Sequence, residues 1–76
     1  MKARPEQGRM EVRRKMAQLQ QLENKIAELE ATLANLSGQL ESPLLRPEEV
    51  VKIGKEYERV QREMDDKLAE WEKLQA

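Results

Sequence analysis

Between positions 19 and 40 the apolar residues Leu19, Leu22, Ile26, Leu29, Leu33, Leu36 and Leu40 recur at alternating intervals of 3 and 4, without a slip. An average spacing of 3.5 residues keeps one seam of a helix turned toward a partner helix. The intervening Gln20, Gln21, Glu23, Asn24, Lys25, Ala27, Glu28, Glu30 and Ala31 are polar or good helix formers. A helix with so narrow an apolar stripe gains little by itself in water and needs a packed face. The second half of the chain supplies a matching stripe. Val50, Ile53, Tyr57, Val60, Met64, Lys67 with Leu68 beside it, Trp71 and Leu74 repeat the same alternation.

Between the two seams lies Glu41-Ser42-Pro43-Leu44-Leu45-Arg46-Pro47. Each proline disfavours the helical region for the residue before it and is welcome at the first position of a new helix. Ser42 is placed to cap a short turn, and Glu48 and Glu49 fall in the first turn of the second helix, where the helix dipole favours negative charge. The pattern predicts an all-α fold, an antiparallel two-helix coiled-coil hairpin with a proline-marked tip. Its expected bounds are a first helix over about 10–41, a tip at 42–46 and a second helix over about 47–75. The register that avoids setting seam lysines against large apolar residues pairs Leu19 with Leu74, Leu22 with Trp71, Leu29 with Met64, Leu33 with Val60, Leu36 with Tyr57 and Leu40 with Ile53. Gly54 interrupts the second helix at a cost of about 1 kcal/mol relative to alanine. Close approach to the first helix is the one sequence-level reason for it. Leu44 and Leu45 are expected to fold back on the last seam layer.

Composition sharpens this picture in two places. The 76 residues include neither Cys nor His, which removes disulfides, His/Cys metal sites and histidine acid–base chemistry; no cofactor is expected. Charged residues make up 38% and aromatic residues 3%, a balance suited to solvated helices. With no apolar run of membrane-spanning length, the chain is expected to be cytoplasmic and to make no membrane contact. Charge is distributed unevenly. Residues 1–15 hold six basic side chains (Lys2, Arg4, Arg9, Arg13, Arg14, Lys15) and two acidic ones (Glu6, Glu11), a local net of +4, whereas the other 61 hold eight basic and thirteen acidic. Residues 1–9, with Pro5 and Gly8 and no apolar period, read as a basic linker or tail. In the preferred register the segment before about Met16 has no helix opposite it.

Two basic groups are therefore candidate nucleic-acid contacts. One is the overhang, with Arg4, Arg9, Arg13, Arg14 and Lys15. The other is Lys52, Lys55, Arg59 and Arg62, a stripe along the second helix at spacings of 3, 4 and 3, a shape that can follow a phosphate backbone. Acidic rows flank the stripe, Glu49, Glu56, Glu63 and Glu70 on one side and Glu58, Asp65 and Glu72 on the other, so its field is largely cancelled. The overhang is the better electrostatic candidate. Tyr57 and Trp71 could stack on bases but fall on seam positions and read as core. Asp65 and Asp66 are adjacent carboxylates that point about 100° apart on a helix. General acid–base work needs a pocket that a two-helix hairpin hardly supplies, so no enzymatic activity is expected of this chain.

The strings Pro47-Glu48-Glu49-Val50, Glu56-Tyr57-Glu58, Glu63-Met64-Asp65 and Glu70-Trp71-Glu72-Lys73-Leu74, set after Leu heptads and a proline-marked tip, resemble the C-terminal coiled-coil domain of ABC-F ATPases. The resemblance covers residues 19–75. In that family an acidic residue usually precedes the first tip proline and an aromatic follows it shortly, where this chain has Ser42 and Leu45. The resemblance implies a domain attached to two upstream ATP-binding cassettes and binding nucleic acid, DNA or ribosomal RNA, with the ribosome as a possible partner. The ATP chemistry would belong to those cassettes. Two other readings compete: the tRNA-contacting coiled-coil arm of a valyl-tRNA synthetase, and a structural scaffold whose hairpins self-assemble. The isolated domain is expected to be a monomer.

Overall fold

The computed structural model describes the backbone of residues 5–75 and side chains from residue 9 onward. Helix α1 spans Pro5–Leu40 and α2 spans Pro47–Gln75. They pack side by side as an antiparallel hairpin, 70 × 14 × 13 Å overall. The described residues contain no strand.

The seam forms the core. Leu29, Leu33, Leu36 and Val60 are buried, and Ile53, Tyr57 and Met64 pack against them. Val60 is the most enclosed at 1% exposure. Toward the open end the enclosure weakens: Leu19, Leu22, Ile26, Trp71 and Leu74 are half-buried. Leu22 and Leu74 line one groove between the helices and Leu36 and Ile53 another, and the Trp71 indole reaches Glu23, the neighbour of its expected partner Leu22.

Local rules close the tip. The Glu41 and Ser42 amides donate to the carbonyls of Gly38 and Gln39, ending α1 in a tightened turn. The Leu44 amide donates to the Ser42 hydroxyl at 3.3 Å, the turn expected for that serine. At the start of α2 the Glu49 carboxylate accepts from the Arg46 amide at 3.3 Å, half of a capping box. Glu49 and Val50 amides both reach the Arg46 carbonyl at 3.0 Å. The tip leucines divide. Leu45 is half-buried as expected, but Leu44, whose amide is held by the serine turn, is 88% exposed.

Two expectations are corrected. α1 is already helical at Pro5, the first residue described, ahead of the start expected near residue 10. An apolar period locates a buried face and says nothing about where a solvated helix starts. Gly54 has no close neighbour either. A Cβ built there meets nothing within 4 Å, and the backbone shows no positive φ. The hairpin's own packing therefore does not require a glycine.

Two substitutions test this packing by thermal melting. Leu29→Ala should cost about 2–4 kcal/mol, the usual range for truncating a buried leucine. Gly54→Ala should stabilise by up to about 1 kcal/mol. A destabilised Gly54→Ala would mean that α1 approaches more closely than described.

Candidate nucleic-acid interface

Every described side chain of α1 from Arg9 to Gln18 is exposed, and Leu19 is the first to be half-buried. The opening turns of α1 therefore run past the last seam layer as a lone helix. At about 100° per residue, Arg9, Arg13, Arg14 and Lys15 point around much of its circumference. None of them forms an ion pair among the described residues. Arg4 lies outside the described residues.

The stripe on α2 behaves differently. Lys52, Lys55, Arg59 and Arg62 are all exposed, but Arg59 is held by two carboxylates. Its guanidinium donates to both Glu56 oxygens, at 2.9 and 2.7 Å, and to Glu63 at 3.4 Å. The Glu56 hydrogen bonds, with the charges of Glu56 and Glu63, raise the Arg59 pKa above its ordinary range. Hydrogen bonding to Arg59, then its charge, lowers that of Glu56. The acidic row thus takes up the central cation of the stripe through i,i+3 and i,i+4 partners. Lys52, Lys55 and Arg62 form no ion pair among the described residues, yet the carboxylates stand between them.

The two flanks of the seam also differ. On one side Lys25 crosses to Glu63 at 3.7 Å and Lys67 pairs with Glu70 at 3.4 Å. Here an open groove of about 580 Å³ runs along Gln18, Gln21, Lys25, Lys67, Glu70 and Lys73, with Leu22 and Leu74 at its base. On the other side the Trp71 indole N–H donates to Glu23 at 3.2 Å. Trp71 is therefore half-buried with its polar handle satisfied, which leaves little of it to stack on a base. Sequence reasoning set Trp71 against Leu22 and missed Glu23, its neighbour. The usable signal was that a seam tryptophan needs an acceptor at the adjoining flank position.

No group of three or more His, Cys, Asp or Glu side chains is placed to hold a metal among the described residues, and Asp65 and Asp66 are both exposed. No described helix is long and apolar enough to cross a membrane.

The family described as ABC transporter C-terminal domain matches residues 11–76, most of the chain. This chain belongs to that family. The match takes in the whole seam, the tip and the Glu-Tyr-Glu and Trp-Glu strings, and accords with their resemblance to the C-terminal coiled coil of ABC-F ATPases. It also contains Arg13, Arg14, Lys15 and the entire α2 stripe, whereas Arg4 and Arg9 precede it. Curated proteins and solved structures yield no match to the chain.

Within this ABC transporter C-terminal domain, the Arg59 cluster predicts a small acid sensitivity. Glu56 has a lowered pKa in the fold, so its favourable contribution is present above the ordinary value of 4.5 and fades as pH falls through the lowered one. The group is fully exposed, so the effect is slight. Glu56→Gln should lower the neutral plateau of a melting-temperature-against-pH curve slightly and flatten its acid limb by the same small amount, the two curves meeting in acid. A large loss at pH 7 would mean that the cluster supports the hairpin.

Proposed function

We propose that this domain is a non-catalytic nucleic-acid-binding arm. It would serve ATP-binding cassettes elsewhere in the same polypeptide, with the cytoplasm as the expected setting. The carrying observation is the set of exposed basic side chains on the overhanging turns of α1, Arg9, Arg13, Arg14 and Lys15, without carboxylate partners among the described residues. Phosphate binding needs cations whose field is not already spent on neighbouring carboxylates. The overhang meets that condition better than the α2 stripe, where Arg59 is engaged by Glu56 and Glu63. Family membership supports the placement beside cassettes. The ATPase step belongs to those cassettes in this reading. The contacts go to the phosphate backbone, so DNA, RNA and the RNA of the ribosome share one chemistry.

Neither competing reading draws on a particular observation. The family match favours the ABC-type context over a synthetase arm, and the seam is already occupied within one chain, which leaves a self-assembling scaffold without a free seam of comparable length.

The expected affinity is weak and indifferent to sequence, with a dissociation constant of about 10⁻⁴–10⁻⁶ M at physiological salt. Four or five phosphate contacts should give a slope of log K against log salt of roughly −3 to −4. Reversing Arg9, Arg13 and Arg14 to Glu should abolish binding and leave the melting temperature unchanged. Reversing Lys55, Arg59 and Arg62 should have little effect. Loss of binding in the second triple alone would move the site to α2, and no binding at low salt would reject the proposal.

A further inference from the structure

Phosphate contacts use the arginines of the overhang and leave its apolar edge unexplained. Val12 is 57% exposed and Met16 63% exposed. Val12 stands one seven-residue repeat before Leu19, on the seam that α1 buries against α2, and Met16 adjoins Lys15, the seam position between Val12 and Leu19. The seven-residue period of the α1 seam thus continues, with Lys15 at one of its positions, beyond the last turn of α2 with which it pairs. Over residues 9–16 four basic side chains stand against Glu11, a net of +3.

These features define an occupant. A surface that continues a coiled-coil seam accepts another helix at the same seven-residue period. Flanking arginines and a lysine in the seam call for carboxylates on that helix. A second copy of this chain would bring its own basic overhang, and like charges would face each other. We propose that the Val12 and Met16 edge of α1 docks an acidic amphipathic helix from another protein, laid along the overhang where α2 leaves off. The arginines steer and orient this helix, and Val12 and Met16 supply the buried contact. The site shares the overhang and its arginines with the proposed nucleic-acid contacts, and Val12 and Met16 are its own.

The test uses the full chain and a labelled synthetic helix of three heptads, with leucine at both seam positions and glutamate at the flanks, read by fluorescence anisotropy. The expected result is binding that Val12→Ser with Met16→Ser weakens by roughly tenfold or more, as deleting two apolar contacts should. The double variant should keep its melting temperature, its Trp71 emission and its affinity for a duplex oligonucleotide. The same peptide with lysine in place of glutamate should not bind. Three outcomes overturn the proposal: no peptide binding at low salt; equal binding by the double variant, which puts the peptide elsewhere on the hairpin; or loss of self-association by sedimentation in the double variant, which makes the occupant a second copy. If the double variant instead loses oligonucleotide affinity, the edge contacts bases and the helix proposal also falls. Failure of the nucleic-acid reading is distinguishable: the unaltered chain would then bind no oligonucleotide at low salt and still bind the glutamate peptide, with that binding weakened in the double variant.

Discussion

One layer of apolar side chains holds this molecule together. Leu29, Leu33, Leu36 and Val60 bury one another where α1 meets α2, and no third element adds a further layer among the described residues. A seam of this width encloses little more than its own side chains, so most flank and outward positions remain solvated. The long shape, the exposed charge and the shallow grooves are consequences of that constraint. So is the decline in enclosure toward the open end, where Leu19, Ile26 and Leu74 are covered from fewer sides than Val60.

The same constraint locates the functional surface. A hairpin whose core is one layer thick leaves its two ends and its flanks as its accessible surfaces. The flank facing the α2 acidic row is neutralised by cross-helix and local pairs, with Lys25 on Glu63 and Arg59 between Glu56 and Glu63. At the overhang, α1 stands without α2 and no corresponding carboxylate row is present. Charge that would be balanced within the paired region is left uncompensated there, and a seam that would be covered remains open. An ABC transporter C-terminal domain built in this way presents exposed charge and an uncovered stretch of seam at its open end.

Much of this was legible in the sequence because the two governing signals are local or periodic. The seven-residue spacing named the residues that form the core, Leu29, Leu33, Leu36 and Val60, and the acidic row beside the basic stripe contains Glu56 and Glu63, which hold Arg59. Ser42 and Glu49 could be assigned as turn and helix-start residues from their place beside the prolines. What escaped depends on three-dimensional detail that periodicity does not encode. The first turns of α1, helical from Pro5, carry no apolar period in the sequence to mark them. The open space around Gly54 depends on local interaxial distance. The Trp71 bond to Glu23 depends on which side of the seam the indole leans. The different exposures of Leu44 and Leu45 arise within a tip whose serine turn holds the Leu44 amide.

The central claim is that the overhanging turns of α1 are the contact surface and the paired helices are their support. Amide-resolved NMR of the full chain during titration with a short duplex at low salt tests this most directly. The account predicts shifts concentrated at residues 9–16 and fading by Leu19, with the amides around Lys52, Lys55, Arg59 and Arg62 nearly unmoved. Shifts centred on that α2 stripe, with residues 9–16 unaffected, would contradict it.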